Sequence, residues 1–238
     1  MRNPNTPLDD PNSRNERAYQ RLRQAILLGE LEANERLRVA DLEGRFALGL
    51  TPIREALARL ASEGLVQMEA RRGAWVLETS AAEFADLMQT RRTVERLCLL
   101  AAMEHGDAAW EADVLAAAHR LARTPLPNQS DRGDAALEWE TQHRLFHAAL
   151  VSACGSEWLL RFWNQLADHS QRYRKIRLKG PLVERDVHAE HQGLLDAVLR
   201  RDAKQVVALM DRHLGATEAA VKAGFASKAV AQTIDPAL

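Results

Sequence analysis

Ile53, Ala56, Leu57, Leu60 and Ala61 recur at helical spacing within Thr51–Val66, TPIREALARLASEGLV. One face of that helix is apolar, while Arg54, Glu55, Ala58, Arg59 and Ser62 fall on the other. Pro52 stands just inside its start and Gly64 closes it. Leu65, Val66 and Met68 then read as a short strand. A turn at Arg71, Arg72 and Gly73 leads into a second strand, Ala74 to Glu78. Upstream, Arg14 to Leu28 predicts a helix with Ala18, Leu22, Ala25, Ile26 and Leu28 inward, ended by Gly29. Leu31 to Leu37 reads as a turn. Arg38 to Phe46 predicts a second, short helix, joined to the next by the turn Ala47 to Leu50.

Three helices followed by strand, basic turn and strand make a winged helix-turn-helix over residues 14–78. Residues 1–13 are polar and read as a disordered arm, and 79–82 as a linker in which Ser80 and Glu83 form a capping box. From Ala81 onward only helical periodicity is present. Helices are predicted over Glu83–Gly106, Ala108–Arg123, Ala135–Cys154, Ser156–Leu178, Val183–Arg201 and Ala203–Gly215, the last continuing toward Phe225. A loop at 124–134 and the Lys179-Gly180-Pro181 break interrupt them, and residues 226–238 form a frayed tail. The predicted fold class is mainly α: a winged helix-turn-helix followed by an all-helical bundle over 83–225.

Composition narrows the function. No apolar run approaches the ~20 residues of a membrane span, and the first residues carry no signal-peptide core. Cys98 and Cys154 sit in apolar helical surroundings and suggest no disulfide framework, which fits a reducing cytoplasm. The net charge is −1, and residues 14–78 hold 11 Arg against 10 Asp and Glu. A nucleic-acid partner is therefore argued from local arginine placement rather than bulk charge. Arg54 is placed to fork onto a guanine edge, Thr51 to touch phosphate, and Arg71, Arg72 and Gly73 to bring a wing tip to the groove. The plainer reading of these arginines is a solvated helix face and an ordinary hairpin turn. One short helix reads few base pairs, so a homodimer on operator DNA is expected.

The segments TPIREALARL, EGLV and RRGAWV resemble the DNA-binding domain of GntR-family transcription regulators. Arg91-x-x-Val94-Glu95, HRLFH at 143–147, EH at 190–191 and HL at 213–214 resemble the FCD branch, the helical effector domain of the FadR type. The resemblance spans Glu16 to Phe225. Within that branch, FALGLTPIREAL, WEADVLAAAH and LVSACGSEWLL are most similar to glutarate-responsive repressors of short-chain acid catabolism. Two departures stand out. Gly49 and Leu50 occupy places where many members carry Ser-Arg, and His143 occupies a place most often filled by Asp.

His143 and His147 are i, i+4 on one helix, so their rings share a face. His191 and His213 lie on later helices, flanked by apolar residues that turn them inward; His188 is a competitor for the role of His191. The resemblance implies that these four hold a divalent metal ion. Four imidazoles favour zinc, with nickel and manganese as alternatives. Another reading lets His143 swing away and leave three ligands, and the plainest makes each His a hydrogen-bonded core residue. The resemblance also implies a small organic acid effector, a carboxylate or dicarboxylate. Arg91, Tyr173 and Arg174 are the candidate contacts, although Arg91 could equally pair with Glu95 on its own helix, and the run QRYRKIR that holds Tyr173 and Arg174 reads more simply as a solvated basic stripe. The expected function is a DNA-binding repressor sensing an acid at a metal site. The rivals are a regulator responding to the metal itself and, less favoured, a metal-dependent hydrolase.

Overall fold

The computed structural model describes residues 11–69, 72–126, 134–173, 176–177 and 185–234. They form two compact units that divide between Ser80 and Ala81.

The first unit contains α1 (Pro11–Leu27), β1 (Arg36–Leu37), α2 (Val39–Phe46), α3 (Leu50–Ser62), β2 (Val66–Glu69) and β3 (Gly73–Val76). Helix α1 begins three residues inside the predicted arm, at Pro11, whose fixed φ suits a first helical turn; residues 1–10 lie outside the described part. Where a turn was expected, β1 pairs antiparallel with β3, giving the sheet order β1-β3-β2. Two residues carry no readable strand period; their pairing is set by β3. Leu22, Leu31, Ile53, Leu60 and Leu65 are fully buried at the centre of this unit.

Helix α3 starts at Leu50, so Pro52 is its third residue, still among the first four N–H positions that lack an intrahelical acceptor. Its end is a Schellman turn. Gly64 adopts φ +73°, its N–H bonds to the Ala61 carbonyl, and the Leu65 N–H bonds back to Leu60.

The second unit holds α4 (Ala81–His105), α5 (Ala108–Arg123), α6 (Asp134–Val151), α7 (Glu157–Gln171), α8 (Val187–Leu199) and α9 (Ala203–Ile234). Helix α4 therefore begins inside the predicted linker. Helix α7 ends at Gln171, short of the predicted Leu178; Lys179-Gly180-Pro181 and residues 127–133 of the predicted loop lie outside the described residues. Asp107, Ser156 and Asp186 cap α5, α7 and α8 with side-chain oxygens. Helix α9 runs to Ile234 through most of the expected tail, because 226–234 contains neither Gly nor Pro and is rich in Ala. Residues 235–238 lie outside the described part. Among the described residues no helix is long and apolar enough to cross a membrane.

Candidate DNA-reading face and histidine-lined cavity

Helix α3 presents two polar faces with different fates. Toward α1, Glu55 accepts from Asn15, Arg59 donates to Glu16 at 2.8 Å and lies over the Tyr19 ring at 3.5 Å, and Glu63 accepts from the Tyr19 hydroxyl at 2.6 Å. Glu55 and Arg59, grouped by periodicity with the exposed face, are thus tied to α1. Thr51, Arg54 and Ala58 remain exposed, one turn apart along a single stripe. Arg54 has no partner among the described residues.

Gly49 caps α3 with no side-chain acceptor, so the first N–H groups of the helix lack a side-chain cap. On the wing, Arg72 is exposed and its carbonyl accepts from Arg36 Nη2 at 2.7 Å; Arg36 also lies over Trp75 at 5.4 Å. Gly73 takes φ +116°, which favours glycine. Arg71 lies outside the described residues. Sequence reasoning passed over Arg38, exposed at the N-cap of α2 with no partner among the described residues. It also passed over Arg36, whose brace depends on pairing with β3.

In the second unit, His143 and His147 of α6, His191 of α8 and His213 of α9 converge. One ligand nitrogen from each lies within 4.8 Å of all the others. His143 and His147 bring their Nε2 atoms to 3.2 Å. Trp139 stacks on His143 with ring centroids 4.7 Å apart, and His143 lies among the other three rings. His147, His191 and His213 are buried. Burial first, then the neighbouring rings, holds His143 and His147 well below the ordinary histidine value, and the same causes bring His191 down to about 3. Burial also lowers His213, against the opposing effect of its hydrogen bond to Glu190. Uncharged imidazoles are the ligand form. His147 Nδ1 and His191 Nε2 are buried without a hydrogen-bond partner among the described residues. A tetrahedral ion with bonds of ~2.0–2.1 Å sets its ligand atoms roughly 3.3 Å apart, so the group fits such an ion with small closure. His188 is exposed and stands apart from the cluster.

His143, His147 and His213 face a cavity of about 60 Å³ that opens in part to solvent. Arg91 and Tyr173 line it as well; Arg174 lies outside the described residues. Arg91 makes the pair with Glu95 on its own helix and also reaches the cavity wall. Its Nε stands 3.7 Å from Glu95, and its Nη1 donates to Ser170 Oγ at 2.6 Å in the cavity wall. Burial raises the pKa of Glu95, which accepts from Trp163 Nε1 at 2.7 Å. The Tyr173 hydroxyl is buried with no partner among the described residues. Two further guanidiniums line the cavity that sequence reasoning left out: Arg144, 3.0 Å from Asp168, and Arg177, 3.0 Å from Glu140. Arg144 could have been found from its place beside His143. Arg177 belongs to a basic run read as solvated.

Residues 14–76 match the family of bacterial regulatory proteins named gntR, and residues 86–216 match the FCD domain. The chain is a GntR-family regulator of the FCD branch. It is 37% identical to the transcriptional repressor GlaR of Escherichia coli over 82% of this chain and 90% of that one. It is 36% identical to the transcriptional regulator BphR of Paraburkholderia xenovorans over 91% of this chain and 88% of that one. Its fold is shared with E. coli McbR/YncC, at TM-score 0.72 and 19% identity over 88% of this chain and 97% of that one. A GntR-family regulator binds DNA through its winged helix and is not an enzyme, which removes the hydrolase reading. In this family member the Gly49-Leu50 departure leaves Leu50 partly exposed at the start of α3. The His143 departure places a fourth imidazole in the cluster.

Proposed function

We propose that this regulator is a repressor that binds operator DNA as a homodimer and is controlled by a small carboxylic acid at a metal site in its helical domain. The observation that carries the proposal is the convergence of four uncharged histidines on a cavity edged by guanidiniums. His143, His147, His191 and His213 would hold the ion, and an all-nitrogen set favours zinc or nickel over manganese. The ion would supply positive charge, and a carboxylate oxygen would join it by expanding the coordination from four to five. Arg91, the Tyr173 hydroxyl and Ser170 are placed to hold the rest of the acid, with Arg144 and Arg177 further along the wall. A dicarboxylate suits two such anchor points. The repressing sign follows GlaR, itself a transcriptional repressor. On DNA, Thr51, Arg54, Arg72 and Gly73, with Arg71 beside them, are the proposed contacts.

The acid alters operator affinity only by its differential binding to two states of the dimer. The test is thermal shift of purified protein, with and without chelator, across C3 to C6 mono- and dicarboxylates. Stabilisation by an acid in the metal-loaded protein alone is expected, and no stabilisation by any acid defeats the effector reading. The second reading, in which the metal is itself the signal, predicts operator release that tracks metal concentration with no acid present.

A further inference from the structure

Beside the histidine cluster, Arg185, Glu190 and His213 form a closed hydrogen-bonded set. Glu190 stands in the first turn of α8, Arg185 just before that helix, and His213 on α9. Arg185 Nε donates to Glu190 Oε1 at 2.6 Å. Its Nη2 donates to Glu190 Oε2 at 2.5 Å and to the His213 carbonyl at 3.0 Å, and its Nη1 donates to Thr217 Oγ1 at 3.2 Å. Glu190 Oε2 also lies 2.9 Å from His213 Nδ1.

Proton counting settles which ring nitrogen carries the hydrogen. A carboxylate gripped by both arms of a guanidinium is ionised and only accepts. The proton between Glu190 and His213 therefore sits on Nδ1. Arg185 Nη2 also stands 3.1 Å from Nδ1, but two donors cannot bond to each other. Its two hydrogens are already taken by Glu190 Oε2 and the His213 carbonyl. With Nδ1 protonated, Nε2 on the far edge of the ring holds the lone pair.

No other ring of the cluster has a carboxylate partner among the described residues. We propose that Glu190, clamped by Arg185, is a positioning residue that fixes the tautomer of His213 so that Nε2 is presented to the cluster. Its purpose rests on the metal reading above, whereas the tautomer does not. Without this hydrogen bond the ring would be free to carry its proton on Nε2, and that nitrogen would then be no ligand. Carboxylate partners of this kind orient metal-bound histidines widely, and their loss typically weakens metal binding ~10–100-fold.

The test uses the full chain labelled with ¹⁵N and freed of metal, with ring tautomers read from long-range ¹H–¹⁵N spectra. The His213 signals are assigned by their loss in His213→Gln. In the wild type His213 is expected as the Nδ1–H form; an Nε2–H form overturns the proposal with no further variant. In Glu190→Ala the His213 pattern is expected to shift toward Nε2–H or an averaged mixture, while Thr217→Ala, which removes the outer acceptor of Arg185 and a hydroxyl donor to the His213 carbonyl but leaves Glu190 on the ring, keeps it. A pure Nδ1–H pattern in Glu190→Ala overturns the proposal. Co²⁺ titration, followed by its visible absorption, should show Glu190→Ala weakened ~10–100-fold, and unchanged affinity overturns the positioning role. A wild-type chain that takes up no Co²⁺ overturns the metal reading and the purpose given to Glu190, while the ring spectra still decide the tautomer.

Discussion

The guanidinium carbon of Arg59 lies 3.5 Å from the centroid of the Tyr19 ring. With its ion pair to Glu16, this commits Arg59 to holding α3 against α1 and leaves Arg54 as the free arginine of α3. The two arginines should behave oppositely. Arg54→Ala is expected to lose ~1–3 kcal/mol of operator discrimination with an unchanged melting temperature. Arg59→Ala should lower the melting temperature, losing a cation–π contact of ~0.5–1 kcal/mol, with a smaller effect on DNA. Gel shifts at two salt concentrations and thermal melts check both. Unchanged operator affinity in Arg54→Ala would remove α3 as the reading element.

In the proposed metal site His143 would be a neutral ligand where the family resemblance implies Asp. His143→Asp should shift preference from zinc toward manganese, since a carboxylate oxygen suits the harder ion. Competitive metal titration of the chelator-treated protein reads the change. An identical zinc-to-manganese preference in both proteins would mean that position 143 does not ligate.

Gly224 is buried in α9, where an added Cβ would run into the backbone carbonyl of Ile176. Helix propensity alone would favour Gly224→Ala by ~1 kcal/mol. The collision should reverse that sign, at ~1–3 kcal/mol of lost stability. Urea unfolding decides between them.

Arg201 stands at φ +54° and donates to the carbonyls of Met103 and Gly106 and to Glu111 Oε1, closing the C-terminal end of α4. Arg201→Ala should cost about 1–2 kcal/mol. Arg201→Lys should recover only part, because an ammonium cannot reproduce the fork. The same urea transitions measure it.

Cys98 is fully buried, and burial first, then the adjacent Cys154, pushes its thiol up to about 12. A raised thiol value means that the reactive thiolate is scarce below it. At pH 8 its fraction is roughly one in ten thousand, and at pH 9 still only about one in a thousand. A thiol reagent should leave Cys98 unmodified in the native protein at either pH and label both cysteines in urea. Rapid native labelling of Cys98, located by peptide mass, would contradict this.

Where local chemistry decides the outcome, the sequence sufficed. The Gly64 stop, the apolar face of α3 and the inward rings of His147, His191 and His213 all follow from spacing, side-chain volume and glycine's freedom at positive φ. What stayed hidden depends on partners distant in the chain. The strand β1 exists through Trp75 and Ala74 of β3. Arg59 is engaged by Tyr19 and Glu16, which lie on another helix. Arg177 reads as a surface cation until Glu140 and the cavity are seen beside it. Helical periodicity assigns a residue to a face and cannot say which faces meet.

Each mapped guanidinium of the cavity wall arrives already matched: Arg91 with Glu95, Arg144 with Asp168, Arg177 with Glu140. On the proposed reading, an acid bound there would meet no unpaired guanidinium, and the metal ion would be its one uncompensated cation. Such an acid would share or displace a resident carboxylate, so its gain from the arginines would be the difference between two sets of ion pairs. Such a swap favours a shallow, readily reversed response. The set point of such a sensor would be adjusted through the internal acids as much as through the arginines.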